Sequence, residues 1–234
     1  RCTRRCHFCD VTTARPGALD PHEPAKVADA AAEMHLTHVV ITSVDRDDLA
    51  DRGAAHWAAV IAAVKARLPD AAVEVLVPDF GGDTALVDVM LAAKPDVVNH
   101  NLETVARLYR AVRPQSRWEH TTALLRHAAE RGFTTKSGIM VGLGEADDEV
   151  CATLDHMRAI GVSIATIGQY LRPSLQHWAV ARYVDDAAFA AYVAHGERIG
   201  LAHVFAGPFV RSSYHAAEAL RATASSTRSL RVLP

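Results

Sequence analysis

Cysteine is scarce in this chain, and it is unevenly distributed. Only four cysteines occur in 234 residues, three of them within residues 2–9 and the fourth at position 151. A disulfide framework needs an even set of cysteines in a small secreted chain, and this spacing does not fit one. Closely spaced free thiols suit a reducing compartment, so we expect a cytoplasmic protein.

Long apolar runs and a strong charge bias are also missing. No stretch approaches the roughly 18 consecutive apolar residues that a transmembrane helix requires. The formal net charge is only −2, which gives no general attraction to nucleic acid or to an anionic membrane. We therefore expect no nucleic-acid partner and no membrane association, and any anionic ligand must be bound by local charge.

The feature that is present is a CxxxCxxC run formed by Cys2, Cys6 and Cys9. Three thiolates can hold a [4Fe-4S] cluster, whose usual complement is four cysteines, and they leave one iron open to another molecule. A closed zinc site needs four ligands, which His7 could complete, although the adjacent Cys6 and His7 would have difficulty converging on one ion. We favour a cluster over zinc, and zinc over inert thiols. Cys151 falls in a predicted helix and is interpreted as a small buried apolar residue.

Short β-branched runs alternate with amphipathic stretches along the chain. They predict strands near residues 37–43, 73–77, 96–99, 134–141, 163–169 and 202–206, with helices between them that include 104–112. The first helix is predicted to run to about residue 35, with Asp20 as its N-cap and Pro21 at the first helical position. Strands separated by single helices require right-handed crossovers and a parallel sheet.

These elements predict an α/β fold with one domain over residues 1–216, a partial (β/α)6 barrel with its helices outside. A further strand is expected upstream of the cysteines. The tail, residues 217–234, has no apolar face and is predicted to be frayed or disordered. Polar patches follow five of the predicted strands, where sites gather in such folds; they lie at residues 43–48, 78–80, 100–101, 142–145 and 169–170.

A CxxxCxxC run before the first helix of a partial βα barrel resembles the radical S-adenosylmethionine (SAM) superfamily. Longer strings narrow the resemblance to the lipoyl synthase family within it. The strings stand in the family's order from residue 1 to about residue 216; they are CTRRCHFCDV, TSVDRDDL, VPDF, NHNLET, VRP, TKSG, VGLGE, GQYL and GPFVRSSY.

This resemblance implies a radical SAM sulfurtransferase that inserts two sulfur atoms at C6 and C8 of an octanoyl chain attached to a lysine of a lipoyl carrier domain. The open iron of the three-cysteine cluster would bind SAM, and reductive cleavage would give a 5′-deoxyadenosyl radical that abstracts hydrogen. Because no side-chain base could act on such unactivated carbon, the cofactor carries the chemistry and the protein positions it. The sulfur would come from a second, auxiliary [4Fe-4S] cluster that is consumed.

The resemblance also implies residue roles at the strand ends. The residues expected to contact SAM are Ser43 and Asp45 at its amino group, Asn101 and Glu103 at its ribose, Arg113 and Lys136 at its carboxylate, and Gln169 and Tyr170 at its adenine or closing the cavity. A surface charge or an ion pair is the alternative for both cations. Gly142, Gly144 and Glu145 are expected to cradle SAM through backbone amides. Ser212 is expected to ligate the auxiliary cluster, with Ser213 as the alternative. His100 and His177 are expected to form structural hydrogen bonds.

Partners follow from the same resemblance. They are octanoylated lipoyl carrier domains, as in 2-oxoacid dehydrogenase E2 subunits and the glycine cleavage H protein, an electron donor such as flavodoxin or ferredoxin, and iron–sulfur carrier proteins.

One departure from the family pattern stands out. The cysteine triplet for the auxiliary cluster, which the family carries upstream of the CxxxCxxC run, is absent, and the sequence begins at Arg1. We therefore interpret the sequence as a fragment that would cleave SAM without inserting sulfur. The alternatives are a radical SAM enzyme of another class that never had an auxiliary cluster, and a degenerate, non-catalytic iron–sulfur protein.

Overall fold

Six parallel strands form one sheet in the computed structural model, which describes residues 1–213 and 216. The strands are β1 His38–Thr42, β2 Ala72–Leu76, β3 Val97–Asn99, β4 Thr134–Val141, β5 Ile164–Gln169 and β6 His203–Gly207. They lie in chain order and every neighbouring pair is parallel. Within the described residues β1 and β6 are the two edges of this sheet, so the predicted partial barrel is confirmed. Tyr214 and the predicted tail, residues 217–234, lie outside the described residues.

Helices connect the strands and cover one face of the sheet. They are α1 Glu23–Glu33, α2 Ala54–Arg67, α3 Thr84–Leu91, α4 Tyr109–Val112, α5 Trp118–Glu130, α6 Asp147–Ala159 and α7 Asp186–Arg198, with 3₁₀ turns at Phe80–Gly82 and Ala106–Leu108. In the part of the chain that the structure describes, no helix is both long enough and apolar enough to cross a membrane.

The first helix begins later than the sequence predicted. Asp20 accepts hydrogen bonds from the backbone N–H of His22, at 2.9 Å, and from Lys26 Nζ, at 2.6 Å. The Asp20 carboxylate therefore closes a turn before the helix instead of capping it. The helix starts at Glu23, and Pro24 rather than Pro21 occupies its first turn, where a missing N–H costs nothing.

The predicted helix over residues 104–112 is also wrong in its first half. Glu103 has a left-handed φ of 69°, and Val105 is extended, with φ −75° and ψ 158°. Neither conformation can continue into an α-helix. The chain therefore passes through a 3₁₀ turn and becomes α-helical only at Tyr109.

The two faces of the sheet differ in chemistry because side chains alternate along each strand. Val75 and Val98 are directly paired and fully buried on the helix-covered face. Their neighbours Leu76, Asn99 and Lys136 stand side by side on the opposite, concave face. The concave face therefore carries buried polar groups, while the helix-covered face carries the apolar core.

The parallel arrangement brings the carboxyl ends of all six strands to one edge. The five polar patches predicted from the sequence directly follow the ends of β1 to β5 or lie within two residues of them. Residues 1–13 pack against the same edge through the contacts described below.

Candidate active site

A cavity of about 420 Å³ opens where the N-terminal segment meets the carboxyl ends of β1, β2 and β3. All three N-terminal cysteines line it. Eight of the predicted site residues lie on its wall, namely Cys2, Cys6, Cys9, Ser43, Asp45, Asn101, Glu103 and Arg113. The fold thus brings residues that were predicted in four separate segments of the chain to one cavity.

The cysteines are held in a closed loop, residues 2–13, which we call the cysteine loop. Cys2 and Thr13 form an isolated parallel bridge that ties the two ends of the loop together. The backbone of Thr3 donates to Asp45 O at 3.2 Å, and that of His7 donates to Val112 O at 2.8 Å. Backbone hydrogen bonds thus attach the loop to the segments that follow β1 and α4.

Arg4 supplies the strongest anchor of the cysteine loop, and the sequence analysis missed it. Its guanidinium forms one two-bond pair with Asp47, at 2.7 and 2.8 Å, and a second with Asp79, both bonds at 2.7 Å. Only 6% of Arg4 is exposed and Asp79 is fully buried. Burial raises the pKa of Asp79, but the hydrogen bonds from Arg4 outweigh it and hold this pKa well below its usual range. The only hint in the sequence was that acids follow both β1 and β2, and acids buried together need a cation.

Arg113 projects into the cavity beside Cys6. Its Nη1 donates to Asn101 O at 3.0 Å and to the hydroxyl of Tyr109 at 2.9 Å, and its guanidinium carbon lies 5.2 Å from the centre of the Tyr109 ring. Burial raises the pKa of the Cys6 thiol to about 11, while Arg113 acts against this rise. A cation next to the thiol favours the thiolate, which is the form that binds a metal.

Within the described residues, three buried polar atoms of cavity-wall side chains form no hydrogen bond. They are Asn101 Oδ1, Arg113 Nε and Asp45 Oδ1, although Asp45 Oδ1 lies 3.3 Å from Arg4 Nη1 in an ion pair. Leaving such a group unpaired costs about 1–3 kcal/mol, and more for a charged group, so native proteins rarely leave several together. The two acceptors and one donor define a ligand that brings hydrogen-bond donors to Asp45 and Asn101 and an acceptor to Arg113.

The thiols fit a multi-iron group in this cavity. Within residues 1–213 and 216, no three or more His, Cys, Asp or Glu side chains stand around one metal-ion position. The three sulfur atoms thus line the cavity wall separately. A [4Fe-4S] cluster takes one thiolate per iron at the corners of a cube, so its ligands need not converge on a point.

Glu103 occupies the cavity wall in a strained conformation. Its φ of 69° is unusual for a residue with a side chain. Its backbone N–H donates to Gly138 O and its carbonyl accepts from Met140 N, both at 2.9 Å. Burial raises the pKa of Glu103. Strain that β4 holds in place at a cavity wall is typical of a functional site.

The chain is similar to known proteins over most of its length. A profile of the Radical SAM superfamily matches residues 1–157. The chain is 52% identical to the lipoyl synthase of Oleidesulfovibrio alaskensis over 215 residues, which are 92% of this chain and 74% of that protein. It is also 52% identical to the lipoyl synthase of Rubrobacter xylanophilus over 219 residues, 93% of this chain and 68% of that protein. The chain belongs to the lipoyl synthase family.

Solved structures agree with this family at the level of the fold. HydG, a maturase of the [FeFe]-hydrogenase, superposes with a TM-score of 0.69 at 15% identity, covering 94% of this chain and 52% of that chain. Methylornithine synthase superposes with a TM-score of 0.63 at 13% identity, covering 87% and 68%. The lipoyl synthase family consists of radical SAM enzymes that insert sulfur, use a [4Fe-4S] cluster with SAM, and act on lipoyl carrier domains. The chain is an enzyme of this type, which decides against the two alternatives of another reaction class and of a non-catalytic protein.

The glycine-rich segment after β4 differs from what the family resemblance implied. Gly142 N donates to Glu145 Oε1 at 2.6 Å, and Leu143 N donates to Glu145 Oε2 at 2.9 Å. The prediction that the Gly142 amide receives a ligand is therefore wrong, because the carboxylate three residues later already occupies it. Gly144 takes a φ of 113°, a turn conformation that suits glycine.

Gly142 lets Gln169 and the backbone of Arg182 pack closely against it, because it has no side chain. A Cβ atom there would lie 2.3 Å from Gln169 Nε2 and 2.6 Å from Arg182 O. Gln169 itself donates to Arg182 O at 3.1 Å and accepts from Val184 N at 3.0 Å. Both residues thus fix the segment between β5 and α7, residues 171–185, which we call the strap.

The strap also contacts the cysteine loop of this lipoyl synthase family member. Tyr170 donates its hydroxyl to Trp178 O at 2.8 Å, and Trp178 Nε1 donates to Leu143 O at 2.9 Å. Trp178 N donates to His7 O at 2.9 Å, and the two rings stack with centroids 6.1 Å apart. Gln169 and Tyr170 are therefore bound to the strap and do not lie on the cavity wall.

Lys136 does not lie at the edge of the sheet as the sequence predicted. It is the third residue of β4, fully buried on the concave face, and its Nζ lies 3.0 Å from Glu74 Oε1. The assignment to the SAM carboxylate is wrong for this geometry. The alternative of an ion pair is confirmed, although the pair is buried and not on the surface.

The remaining predicted residues have clear positions. Asn101 Nδ2 donates to Ser212 Oγ at 2.7 Å, which places this serine next to the cavity wall, whereas Ser213 is exposed. His100 is buried and its ring nitrogens contact Val77 O at 2.6 Å and Thr121 Oγ1 at 3.1 Å, so its structural role is confirmed. His177 contacts Ser174 Oγ at 2.8 Å and lies 3.6 Å from Asp10 Oδ1. Cys151 lies in α6 but is only half-buried.

Proposed function

We propose that the cavity is the site of reductive SAM cleavage and that Cys2, Cys6 and Cys9 hold its [4Fe-4S] cluster. The observation that carries this proposal is that three thiols and three buried polar atoms without a hydrogen bond belong to residues of one cavity wall. Three thiolates leave one iron of the cluster open, which is where SAM would bind. Domain boundaries of 1–216 and a cytoplasmic location, as expected from the sequence, belong to the same proposal.

The unpartnered atoms match the polar groups of SAM. Asp45 Oδ1 would accept from the ammonium group, and Arg113 Nε would donate to the carboxylate. Asn101 Oδ1 would accept from a ribose hydroxyl, with Glu103 next to it on the wall. Each of these contacts would give a hydrogen bond to a buried atom that otherwise forms none among the described residues, although Asp45 Oδ1 also lies 3.3 Å from Arg4 Nη1.

Ser43 supports this site indirectly. Its hydroxyl accepts from Trp57 Nε1 at 3.2 Å and donates to Val44 O at 3.0 Å, so it fixes the backbone just before Asp45. Phe8, Val11 and Leu76 add apolar surface to the same wall. Apolar walls exclude water, which strengthens each charged contact inside.

A reduced [4Fe-4S] cluster held by Cys2, Cys6 and Cys9 would supply the electron for SAM cleavage, and with it the means to abstract hydrogen from unactivated carbon. The protein's own contribution is positional and electrostatic. Arg113 opposes the effect of burial on Cys6 and so favours its thiolate form. Burial raises the pKa of Asp45, and the neighbouring Arg4 acts against this rise. A carboxylate that stays ionised can accept a bond from an ammonium group.

Ser212 is proposed as a ligand of the auxiliary cluster. Its hydroxyl accepts a hydrogen bond from Asn101, a residue of the cavity wall, so the serine lies next to the proposed SAM site. The four cysteines of the sequence provide no second triplet, and the serine is the only contribution to that cluster assigned to this chain. Ser213 is exposed and makes a poorer candidate.

The partners proposed for this site are those of its family. Octanoylated carrier domains of 2-oxoacid dehydrogenase E2 subunits and of the glycine cleavage H protein would present the substrate. A flavodoxin or ferredoxin would supply electrons, and iron–sulfur carrier proteins would deliver clusters.

The test is anaerobic reconstitution with iron and sulfide and iron analysis, followed by reduction with dithionite in the presence of SAM and assay of 5′-deoxyadenosine. We expect the unmodified protein to take up a cluster and to cleave SAM. Cys6→Ser should lose both properties, while Cys151→Ser, which alters a half-buried helical cysteine, should retain them. A loaded protein that gives no 5′-deoxyadenosine, or a Cys6→Ser variant with unchanged iron content and cleavage, would contradict the proposal.

A further inference from the structure

Arg4 stands inside the CxxxCxxC run, between two of the proposed cluster ligands, and its guanidinium lies among three acids at the wall of the cavity. The Nε and Nη2 atoms pair with Asp47, and the Nη1 and Nη2 atoms pair with Asp79. Nη1 also lies 3.3 Å from Ser116 Oγ and 3.3 Å from Asp45 Oδ1. One guanidinium therefore touches three segments that are far apart in the sequence.

Each of those segments belongs to a different part of the site. Asp45 and Asp47 follow β1, Asp79 follows β2, and Ser116 follows α4. The backbone N–H of Arg4 donates to Cys2 Sγ at 3.4 Å. The side chain thus links the proposed cluster loop to the carboxylate proposed to receive the SAM ammonium group.

We propose that Arg4 is a positioning residue that fixes the cysteine loop and Asp45 relative to each other, so that the cluster and the amino group of SAM meet in one geometry. This inference rests on the proposed roles of the three cysteines and of Asp45. In this proposed role Arg4 contacts neither SAM nor iron, and it acts only through Asp45, Asp47 and Asp79.

The chemistry of the two pairs requires arginine. A guanidinium presents two edges, each with two N–H groups, and each edge here meets a separate carboxylate. A lysine ammonium carries the same charge but is a compact point donor that cannot form two forked pairs at once. Arg4→Lys therefore keeps the charge balance of the buried acids while removing the geometry.

The neighbouring residue provides a matched control. Arg5 is also an arginine between Cys2 and Cys6, at the next position of the run, but it is exposed, and its backbone N–H donates to Gln115 Oε1 at 3.0 Å. Arg5→Lys makes the same guanidinium-to-ammonium change in the same motif but leaves the contacts of Arg4 with its three acids unchanged.

The experiment compares unmodified protein, Arg4→Lys and Arg5→Lys after anaerobic reconstitution. Circular dichroism and thermal unfolding report the fold, chelator-induced bleaching reports how firmly the cluster is held, and equilibrium binding reports the dissociation constant for SAM. We expect Arg4→Lys to keep the fold and its iron, to lose the cluster several-fold faster, and to bind SAM about tenfold or more weakly. Arg5→Lys should match the unmodified protein in all of these measurements.

The inference is overturned if Arg4→Lys equals Arg5→Lys in chelator resistance and SAM affinity. Should Arg4→Lys fail to fold, Asp79→Asn replaces it, because this variant keeps Arg4 and its pair with Asp47 while weakening the second fork. Unchanged chelator resistance and SAM affinity in a folded Asp79→Asn would then overturn the inference. Failure of the proposed function looks different, since Cys6→Ser would then keep its cluster.

Discussion

Lys136 and Glu74 form an ion pair on the concave face of the sheet, and removal of the lysine tests how the structure uses it. Lys136 Nζ lies 3.0 Å from one Glu74 oxygen and 3.3 Å from the other, and the two side chains are 0% and 1% exposed. In Lys136→Met, an apolar chain of similar length replaces the cation and leaves the carboxylate buried.

The loss of unfolding free energy in Lys136→Met depends on the contacts that the Glu74 carboxylate keeps. Glu74 keeps a hydrogen bond from Asn99 Nδ2 at 3.0 Å and a contact with His38 Nε2 at 3.6 Å. Burial alone raises the pKa of Glu74, and these partners together with Lys136 hold it below its ordinary value. Breaking a buried pair by removing one partner costs about 3–5 kcal/mol. For a protein of this size, that lowers the melting temperature by about 2–4 °C for each kcal/mol.

The double variant Glu74→Leu/Lys136→Met serves as the control for this change. Replacing both members of a buried pair with apolar residues is often neutral or stabilising. We therefore expect the second substitution to recover most of the free energy of unfolding that the first one loses. Lys136→Met alone should lower the free energy of unfolding, and the added Glu74→Leu should raise it again. A general loss of packing would make both substitutions destabilising, so the opposite signs identify the ion pair as the cause.

The assay is urea unfolding of the metal-free protein, accompanied by SAM binding to the reconstituted protein. We expect Lys136→Met to unfold at markedly lower urea and, where it is folded, to bind SAM with nearly unchanged affinity. A variant with normal unfolding but a tenfold weaker affinity for SAM would refute this reasoning and restore Lys136 as a SAM contact.

Two further predictions concern groups next to the cavity. Burial is the main cause that lowers the pKa of His100 from 6.5 to about 4. Between these two pH values the unfolded chain binds a proton at His100 that the folded protein does not bind. The free energy of unfolding therefore falls by about 3 kcal/mol as the pH drops from 6.5 to about 4. His100→Gln should flatten that part of the profile of unfolding free energy against pH, and an equally steep profile in the variant would contradict the assignment. Trp178→Phe removes the 2.9 Å hydrogen bond to Leu143 O, so we expect a loss of about 1 kcal/mol and faster hydrogen exchange in residues 171–185, with unchanged exchange as the contrary result.

Much of the fold could be predicted because its signals are local. Each strand is a short β-branched run, and Thr134–Val141 occurs as the sequence indicated. Helix starts were less certain because several residue types can begin a helix. Asp20 and Pro21 form a plausible start, but Asp20 closes a turn instead, and Pro24 in the first turn marks the true start.

The site was predictable in its cysteines and less so in its charges. The spacing of Cys2, Cys6 and Cys9 is a local pattern, and all three reach one cavity. Which amide is free depends on competition from nearby side chains, and the Glu145 carboxylate takes the Gly142 amide. The role of Arg4 depends on two acids 43 and 75 residues away, at Asp47 and Asp79, so no local pattern could reveal it.

Arg113 and Lys136 show which observation separates a ligand-binding cation from a structural one. Both are buried cationic side chains, one directly after α4 and one inside β4, and the sequence treats them alike. Lys136 has a carboxylate at 3.0 Å, and its charge is compensated. The hydrogen bonds of Arg113 go to a carbonyl and a phenol, and its Nε has no partner. Glu103, Cys6 and Asp45 stabilise the charge of Arg113 from a distance, but its Nε–H has no acceptor among the described residues, and an acceptor group on a ligand would supply one.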